Sequence, residues 1–448
     1  MKDLVVGASG VRGIVGKSLT PEIMTRLGAA FGTYLNSGKV VVGRDTRVSG
    51  DMLKHAVFAG LISTGCRIID LDVCTTPTCA LMVKELKADG GIIITGSHNP
   101  IEWNALKFLR SDGIFLNVDQ GKQLIDCYYS GDFVKVTWDK LQVVETDHSS
   151  ADKHLEKVLS SVDIEIIRKK KFSVVLDSCN GAGSLITPAL FEKLHCRMKA
   201  IHVKPNGLFP HNPEPTFANL TELCSVARHS GVDIGFAQDA DADRLAIVDE
   251  RGEFIGEEYS LALAARFVLS KHSGIVVTNL STSRLIEDIA EKYNSRVIRT
   301  PVGEVNVADR MKSERAVIGG EGNGGIINPE VHYVRDSLSG IAMILQYLAE
   351  TGKKVSELVD ELPKYHIRKE KIECKPEAGR DIIKELTTRY RREKIDLQDG
   401  LRVDWHDAWF SLRISNTEPV IRIIAEGRTR QKVDSLIESL VKEIKRTK

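Results

Sequence analysis

The sequence lacks an excess of charge of either sign. Its 448 residues include 62 basic and 61 acidic side chains, and the formal net charge at pH 7 is +1. No overall field therefore favours nucleic acid or an anionic membrane surface. We expect neither as a partner, and any anion that the protein binds has to be captured by local groups.

Long apolar runs are lacking as well. The first residues, Met1 to Leu4, do not have the apolar run of a secretory signal. No later stretch approaches the roughly eighteen apolar residues that span a bilayer. We therefore expect a cytoplasmic protein without a membrane-spanning segment.

Paired cysteines are a third absence. The eight cysteines contain no CxxC pair, the spacing typical of zinc and redox sites, and several lie in apolar runs, as reduced core thiols do. We expect neither a disulfide nor a zinc site from them. The cysteines are Cys66, Cys74, Cys79, Cys127, Cys179, Cys196, Cys224 and Cys374.

The glycine motifs of nucleotide-binding proteins are also absent. Gly181-Ala182-Gly183 follows an apolar run, but no third glycine stands at the spacing of a dinucleotide fingerprint. The GKS or GKT of a P-loop does not occur in the sequence. Nucleotide binding is therefore not expected.

What is present is a pattern that occurs three times. Each segment has an apolar β-rich run, a small-residue turn, an amphipathic stretch of helical period and a second apolar run. This is the pattern of a βαβ unit, whose right-handed crossover builds a sheet covered on both faces. The three units cover residues 40–71, 174–203 and 275–299.

The end of the chain has a different pattern. Residues 409–413 and 420–424 look like paired strands, and they precede a helix with one apolar face. The sequence therefore predicts three similar mixed α/β domains followed by a C-terminal α+β domain. The charged, proline-containing stretch from Leu362 to Arg380 is the expected linker before the last domain. The predicted domains cover residues 1–150, 151–252, 253–365 and 366–448.

A first candidate site is the hexapeptide from Thr95 to Pro100, which contains Ser97. It follows the apolar run from Gly91 to Ile94, so it lies at the carboxyl end of a strand, where α/β proteins place ligands. Phosphoryl transfer through a serine hydroxyl needs a metal, cationic donors and a nearby proton acceptor. Taken alone, the hexapeptide fits a polar turn equally well.

A second candidate consists of Asp239, Asp241 and Asp243, between two apolar runs. In an extended segment, residues two apart project to one side, so the three carboxylates could converge on a hard divalent cation. Magnesium fits such a site best. A solvated acidic turn is disfavoured, since carboxylates spaced this closely repel one another without a cation.

An EF-hand calcium loop is the other possibility for this segment. Glu250 stands at the twelfth place counted from Asp239, where an EF-hand has its bidentate carboxylate. However, Arg244 occupies the sixth place, where the turn needs glycine, and residues 245–248 have the pattern of a strand. These two features exclude the calcium loop.

A third candidate surrounds a turn near the C-terminus. Arg413 and Arg422 flank the small polar residues Ser415, Asn416 and Thr417. Guanidinium forks, side-chain donors and backbone N–H groups together suit a phosphate dianion. A hairpin turn with exposed arginines is the alternative.

The fourth candidate is the glycine-rich run of residues 319–325. Glu321 and Asn323 are spaced so that both could hydrogen-bond sugar hydroxyls, while the glycines allow the backbone to come close. Without the other three segments, a flexible loop would be the simpler interpretation.

These four segments, in this order, resemble the α-D-phosphohexomutase family, and the resemblance spans almost the whole chain. Its fold is four domains around a central active-site cleft, in agreement with the three βαβ units and the distinct C-terminal domain. Further matching motifs are Ser9-Gly10-Val11-Arg12-Gly13, Gly43-Arg44-Asp45-Thr46-Arg47, Asn180-Gly181-Ala182-Gly183 and Thr300-Pro301-Val302-Gly303.

The resemblance implies a role for each candidate residue. Ser97 would be the phosphoserine, and Asp239, Asp241 and Asp243 would bind Mg²⁺ together with an oxygen of the Ser97 phosphate. The implied cationic residues around the transferring phosphoryl group are Arg12, Lys107 and Arg244, with Lys107 as the leading proton-transfer group. The implied sugar contacts are Thr300, Gly303, Glu321 and Asn323, and the implied clamp for the unreacting phosphate is Arg413, Ser415, Asn416, Thr417 and Arg422.

The sequence departs from the family pattern at several positions. Gly325 stands where many relatives have a histidine near the sugar, and His332, seven residues on, is a candidate substitute. The other departures affect backbone freedom more than chemistry. They are Gly96 in place of alanine, and Ala105, Ala240 and Ala242 at positions where glycine is common.

The resemblance implies an intramolecular phosphotransferase that interconverts hexose 6-phosphate and hexose 1-phosphate. The reaction would pass through a phosphoserine enzyme and a hexose 1,6-bisphosphate, which also serves as activator. Glucosamine phosphate is the expected substrate, and mannose and glucose phosphates are the alternative. Outside this class, a phosphoserine-type phosphatase or a non-catalytic sugar-phosphate sensor would use some of the same residues. We expect sugar phosphates as small-molecule partners and a monomer or homodimer.

Overall fold

The computed structural model of the chain describes residues 5–7, 10–415 and 419–447. Ser9 of the first matching motif, and Asn416 and Thr417 of the predicted phosphate clamp, lie outside the described residues. The described residues form four domains, three with mixed α/β sheets and one with an antiparallel sheet. The predicted fold class is confirmed.

The first domain has a seven-stranded sheet in the order β1-β2-β6-β5-β3-β4-β7, in which β3, β4, β5 and β7 are parallel. Val40, Val41 and Val42 of β3 are fully buried, as expected for a strand covered on both faces. The strands are β1 Val5–Gly7, β2 Gly10–Ile14, β3 Lys39–Arg44, β4 Arg67–Val73, β5 Gly90–Ile94, β6 Trp103–Arg110 and β7 Val144–Thr146. The helices are α1 Pro21–Tyr34, α2 Gly50–Ser63, α3 Thr76–Glu85 and α4 Val118–Ser130, with a 3₁₀ turn at Trp138–Lys140.

The second domain has a four-stranded sheet in the order β11-β10-β8-β9, with β10, β8 and β9 parallel and β11 antiparallel to β10. Its strands are β8 Ser173–Asp177, β9 Arg197–Ile201, β10 Ile234–Gln238 and β11 Leu245–Val248. Its helices are α5 Ser150–Ser160, α6 Ile164–Lys170, α7 Gly183–Lys193 and α8 Thr221–Ser230, with a 3₁₀ turn at Phe217–Asn219.

The third domain repeats this arrangement, with the strand order β13-β12-β14-β15 and an antiparallel hairpin at β14-β15. Its strands are β12 Ile275–Asn279, β13 Arg296–Thr300, β14 Ile318–Glu321 and β15 Gly325–Ile327. Its helices are α9 Glu258–Lys271, α10 Leu285–Lys292, α11 Glu304–Glu314, α12 Ser337–Thr351 and α13 Val355–Asp360. The second and third domains share one apolar core.

The fourth domain has an antiparallel five-stranded sheet in the order β16-β20-β19-β18-β17. Two helices complete a core of its own. The strands are β16 His366–Glu373, β17 Lys394–Asp396, β18 Leu401–Asp404, β19 Ala408–Ile414 and β20 Val420–Gly427. The helices are α14 Pro376–Arg389 and α15 Arg430–Thr447.

The stretch from Leu362 to Arg380 is not the predicted linker. Its residues 366–373 form β16, which pairs with β20 from His366 opposite Gly427 to Glu373 opposite Val420. β16 is an edge strand, and charged side chains are typical of edges because they prevent pairing with other chains. The charge that suggested a linker is therefore the signature of an edge strand.

Among the described residues, no helix combines the length and the apolar character needed to cross a bilayer.

Candidate active site

A cavity of about 370 Å³ lies where loops from all four domains meet. β5 and β6 of the first domain supply the Ser97 loop and Lys107, and the second domain supplies Arg244. The lining residues are Gly7, Gly10, Val11, Arg12, Thr95, Gly96, Ser97, His98, Asn99, Ala105, Leu106, Lys107, Arg244, Val302, Gly303, Arg335 and Arg413. The cavity thus contains all four candidate catalytic residues and part of the predicted substrate site.

Ser97 is held in a tight turn directly after β5. Its backbone N–H donates to Thr95 Oγ1 at 2.8 Å, and its φ of 48° lies in the left-handed region, which is costly for a residue other than glycine. Its hydroxyl donates to Asp239 Oδ2 at 2.9 Å. The turn therefore aims the hydroxyl at the predicted metal loop of the second domain.

The fully buried Arg47 holds this turn in place. Its guanidinium donates to the carbonyl oxygens of Ser97 and Asn99, each at 2.7 Å, and pairs with Asp45 at 3.0 Å. Gly96 leaves room for this contact, because a Cβ at residue 96 would lie 2.7 Å from the guanidinium carbon of Arg47. Gly96, which departs from the family pattern, therefore provides the space that the Arg47 guanidinium occupies.

The three aspartates lie in the turn of the β10-β11 hairpin, and one oxygen from each lies within 4.8 Å of the other two. The sequence analysis assumed an extended segment here, but the segment is not extended. The chain instead turns at Ala242, whose φ is 56°, and Asp239 Oδ1 accepts the backbone N–H groups of Asp243 and Arg244, each at 3.1 Å. The predicted convergence of the carboxylates is therefore produced by a turn, because the loop folds back on Asp239.

The donor set of this loop fits a hard divalent cation. Burial and the charges of Asp243 and Asp241 raise the pKa of Asp239 well above its usual value. Of the buried side-chain atoms described, Asp241 Oδ1 and Asp243 Oδ1 have no hydrogen-bond partner. These buried oxygens have no donor, and the three carboxylates repel one another. Such a set is suited to a metal ion that prefers oxygen ligands.

Lys107 already contacts the aspartates. Its Nζ lies 3.0 Å from Asp241 Oδ2 and 3.7 Å from Asp243 Oδ2. Burial alone would lower the pKa of Lys107, but the charges of Asp241 and Asp243 outweigh it and raise the pKa above its usual value. The side chain of Lys107 is therefore a positively charged ammonium group that can donate a proton.

His98 is a candidate that the sequence analysis did not single out. Burial and the charge of Arg244 hold the pKa of His98 well below its usual value, so the ring is neutral. Its Nδ1 lies 2.9 Å from Arg244 Nη2, which must be the donor, and 3.4 Å from Ser97 Oγ. The ring thus lies between Ser97 and Arg244 and accepts a hydrogen bond from Arg244. Only its position next to Ser97 could have indicated this role.

The glycine-rich run is a buried hairpin of β14 and β15. Glu321 is 4% exposed, and its Oε1 accepts from Asn279 Nδ2 at 2.7 Å and from Gly303 N at 3.3 Å. Gly303 lines the cavity, whereas Thr300, Glu321 and Asn323 are not among the lining residues. A flexible loop is excluded here, and Glu321 supports the Gly303 backbone from behind.

The fourth domain presents the two predicted clamp arginines side by side. Arg413 of β19 lies opposite Arg422 of β20, so both side chains are on the same face of the sheet. Ser415 closes the turn by donating its N–H to Val420 O at 2.9 Å. Arg413 lines the cavity, and two guanidinium groups that are neighbours on one face of a sheet are suited to binding an anion.

The fourth domain is tied to the third at this point. Asp399 Oδ2 accepts the N–H of Val302 at 3.0 Å and lies 3.7 Å from Arg413 Nη1. The carboxylate therefore connects a cavity-lining loop of the third domain with the arginine of the fourth.

Family models match the chain along most of its length. The models of the phosphoglucomutase/phosphomannomutase α/β/α domains I, II and III match residues 3–135, 152–252 and 256–365, and that of the C-terminal domain matches residues 368–443. The chain belongs to the phosphoglucomutase/phosphomannomutase family. It is a phosphohexomutase, an intramolecular phosphotransferase, and the resemblance to this family is confirmed.

Relatives of similar length support this assignment. The chain is 40% identical over 445 residues to a phosphoglucomutase/phosphomannomutase of Thermococcus kodakarensis, covering 97% of each chain. It is 37% identical over 444 residues to a probable phosphoglucosamine mutase of Methanopyrus kandleri, covering 98% of this chain and 97% of that one. A family structure from Burkholderia thailandensis superposes with a TM-score of 0.86 at 25% identity, covering 99% and 97% of the two chains.

In this mutase, Arg335 occupies the space next to Gly325. A Cβ at residue 325 would overlap the Arg335 side chain. His332 does not take this place, because it packs against His154 and lies 3.4 Å from Asp336 Oδ2, and it is not among the cavity-lining residues. An arginine thus stands near the position for which the sequence analysis considered a histidine.

Arg335 is also the main positive charge behind the metal loop. Its guanidinium lies 2.6 Å from Asp243 Oδ2, 2.9 Å from Glu321 Oε2 and 3.1 Å from Glu304 Oε2. It therefore joins the metal loop, the glycine hairpin and the start of α11. The sequence analysis missed this residue because its partners are up to 92 positions away in the chain.

We expect Arg335→Met to destabilise this mutase by about 3 kcal/mol, since three buried carboxylates lose their common partner. Burial raises the pKa of Glu304 to about 7, against the effect of Arg335. Without Arg335 the pKa of Glu304 rises further, so this carboxyl is mostly protonated, and therefore neutral, at about pH 6. The loss in the free energy of unfolding should consequently be smaller at about pH 6 than at about pH 8. Thermal unfolding at both pH values measures this difference.

The control is Arg228→Met, which removes a surface arginine paired with Glu253. It should cost less than about 1 kcal/mol at either pH. Equal unfolding temperatures for the Arg335 and Arg228 variants would contradict the assigned role of Arg335.

Proposed function

We propose that this mutase interconverts hexose 6-phosphate and hexose 1-phosphate through a phosphorylated Ser97, with glucosamine phosphates as the preferred substrates. The observation that carries the proposal is the 2.9 Å contact of Ser97 Oγ with Asp239 Oδ2, in a cavity that also contains Arg413. Ser97 and Arg413 thus line one space, and the aspartate loop contacts the Ser97 hydroxyl.

Mg²⁺ is the cofactor we propose for the aspartate loop. Asp239, Asp241 and Asp243 would hold it, together with an oxygen of the Ser97 phosphate. When bound, the ion supplies positive charge that offsets the charge on the transferring phosphoryl group. Arg12, Lys107 and Arg244 are the side chains that we propose to add to this positive charge.

The first half of the reaction transfers the phosphoryl group from Ser97 to the sugar. A substrate hydroxyl forms a bond to phosphorus, the bond from phosphorus to Ser97 Oγ breaks, and the product is a hexose 1,6-bisphosphate. The attacking hydroxyl loses a proton and Ser97 Oγ gains one. Lys107, whose ammonium lies 3.0 Å from Asp241 Oδ2, is the proposed proton-transfer group. It would give its proton to Ser97 Oγ, and the resulting amine would take the proton of the attacking hydroxyl.

In the second half, the bisphosphate turns round and returns its other phosphoryl group to Ser97. The unreacting phosphate has to be held in either orientation of the sugar. Arg413, Ser415, Asn416, Thr417 and Arg422 are the proposed clamp, because charge and forked hydrogen bonds recognise a phosphate regardless of the sugar that carries it. Thr300, Gly303, Glu321 and Asn323 are the proposed residues at the sugar.

The choice of hexose is supported by the relatives. The Methanopyrus protein is named a probable phosphoglucosamine mutase, whereas the Thermococcus protein is named a phosphoglucomutase/phosphomannomutase. We propose glucosamine phosphate first, and glucose and mannose phosphates as the second candidates. A bisphosphate activator, a cytoplasmic location and a monomer or homodimer without nucleic acid or membrane partners complete the proposal.

A side-by-side assay tests the substrate. Glucosamine, glucose and mannose 6-phosphates are each supplied with Mg²⁺ and a hexose 1,6-bisphosphate, and isomer formation and free phosphate are both measured. We expect the largest kcat/KM for glucosamine 6-phosphate. The rate of free phosphate release should be far below the rate of isomer formation. A larger kcat/KM for a neutral hexose would favour the second candidates, phosphate release alone would indicate a phosphatase, and binding without turnover would indicate a sensor.

A further inference from the structure

A second cluster of metal-ligating side chains lies in the second domain, outside the active-site cavity. It contains Asp177 at the end of β8, His202 just after β9, and His211 in the following loop. Asp177 Oδ2 lies 3.0 Å from His202 Nδ1 and 3.1 Å from His211 Nε2, and the three ligand atoms are all within 4.8 Å of one another. None of the three residues lines the cavity.

Both histidine rings face acceptors on both sides. His202 Nε2 lies 3.3 Å from Glu222 Oε2, and His211 Nδ1 lies 2.8 Å from the carbonyl oxygen of Asn212. A neutral imidazole has only one N–H, so it satisfies one of two acceptors. In the absence of a metal, donation from all four nitrogens requires both rings to be imidazolium ions. The thiol of Cys179 is a further neighbour, with its Sγ 3.8 Å from His211 Nδ1.

The two rings share one carboxylate. Their centroids are 5.4 Å apart, and both inner nitrogens contact Asp177 Oδ2. Glu222, whose side chain is 62% exposed, screens little charge at this place. Two protons on the inner nitrogens or one divalent cation would therefore give the cluster the same net charge.

The cluster of His154, His332 and Asp336 has a similar composition but a different hydrogen-bond pattern. There the backbone N–H of Val334 donates to His332 Nδ1 at 3.1 Å, so a neutral His332 ring carries its hydrogen on Nε2, the nitrogen that faces Asp336 at 3.4 Å. That nitrogen is then not available to a metal. The outer nitrogens of His202 and His211 face acceptors instead, so a neutral ring at either position can leave its inner nitrogen without a hydrogen.

A divalent cation between the inner nitrogens and Asp177 would take the place of the two inner protons. Each ring is then neutral, and its outer N–H donates to Glu222 or to the Asn212 carbonyl. A metal-binding histidine usually donates its other N–H to a carboxylate or a backbone carbonyl in this way. The donor separations of 3.0 and 3.1 Å are also near the roughly 3.4 Å that metal–ligand bonds of about 2.1 Å produce in a tetrahedral site.

We propose that Asp177, His202 and His211 bind a divalent transition-metal ion of the zinc class. Two imidazoles and one carboxylate are the donors that zinc prefers, whereas magnesium prefers oxygen ligands only. A water molecule would complete the coordination. The site is distinct from the aspartate loop of the active site.

The position of the site indicates what the ion does. His202 and His211 enclose a loop that also carries Phe209, whose ring lies 4.8 Å from the Arg47 guanidinium carbon. The same loop continues to Glu214, which lies 3.4 Å from Arg244. An ion that fixes both ends of this segment would hold it against the Ser97 turn, so the site is a positioning element and takes no part in the chemistry.

The test is metal binding by the full chain, purified with its affinity tag removed. Asp239→Asn serves as background, because it weakens the active-site loop but leaves the second cluster intact. We expect about one equivalent of zinc in Asp239→Asn and up to two in the wild type, whose aspartate loop can also hold a divalent cation, with nitrogen scatterers from two imidazoles in the X-ray absorption spectrum of Asp239→Asn. Combined with Asp239→Asn, His202→Gln and His211→Gln should each bind zinc at least about 100-fold more weakly, whereas the exposed-helix control His229→Gln should bind it normally.

Two results would overturn the proposal. One is the absence of zinc binding by the wild type and Asp239→Asn at micromolar zinc. The other is retention of zinc at full affinity in both His202→Gln and His211→Gln. If these two variants fail to fold, the X-ray absorption spectrum of zinc-loaded Asp239→Asn decides, because a site elsewhere would lack the two imidazole ligands.

Discussion

Ser97→Ala is expected to lower isomerisation by at least about 10³-fold, as removal of a nucleophile does in other enzymes that use one. The physical reason is that the hydroxyl of Thr95, two residues earlier in the same turn, cannot replace it. Thr95 Oγ1 donates to Asp45 Oδ2 at 2.6 Å and accepts the Ser97 N–H, so it is turned away from the metal loop. The phosphoryl group would have no place to reside between the two halves of the reaction.

Ser97→Ala should lose isomerisation activity but keep its affinity for the sugar phosphate. Ser97 is 5% exposed and its turn is fixed through the backbone by Arg47, so alanine should leave the fold and the cavity unchanged. The dissociation constant for the sugar phosphate, measured by calorimetry, should stay within about threefold, since the arginines that recognise the phosphate remain. The matched control, Ser225→Ala on an exposed face of α8, should keep full activity. Full activity in Ser97→Ala would end the phosphoserine mechanism.

Much of the fold was predictable because its central strands are buried on both faces. Such strands appear as continuous apolar runs, as in β3, β8 and β12, and their spacing from the following helix fixes a parallel crossover. β16 was missed because it is an edge strand with exposed charged side chains, which resemble a linker in sequence. Edge strands lack the apolar signal on which the prediction depends.

The candidate site was predictable where its residues follow a strand. Ser97 follows β5 and the aspartate loop follows β10, so the topology alone brings the carboxyl ends of these strands towards a common cavity. Arg47 and Arg335 were not predictable as site residues. Arg47 pairs with Asp45 two positions away, but its carbonyl partners and all the carboxylate partners of Arg335 come from distant parts of the chain. No local spacing indicates which of these groups an arginine will find.

Asp239→Asn is expected to lower isomerisation by about 10³-fold while leaving the metal-free fold at least as stable as the wild type. An asparagine Oδ1 can still accept the N–H groups of Asp243 and Arg244, and its Nδ2 can donate to Ser97 Oγ. The substitution also removes one of three mutually repelling carboxylates. Burial and that repulsion already raise the pKa of Asp239, so a neutral side chain suits the metal-free site.

The response to Mg²⁺ distinguishes this explanation from a simple loss of packing. A ligand present at 100 times its dissociation constant stabilises the folded state by about 2.7 kcal/mol. Wild type should therefore unfold at a higher temperature with Mg²⁺ than with a chelator, and Asp239→Asn should unfold at the same temperature in both. Asp152→Asn, on an exposed position of α5, should respond like the wild type. An unchanged Mg²⁺ response in Asp239→Asn would place the ion elsewhere, because two remaining carboxylates and an amide hold a divalent cation far more weakly than three carboxylates do.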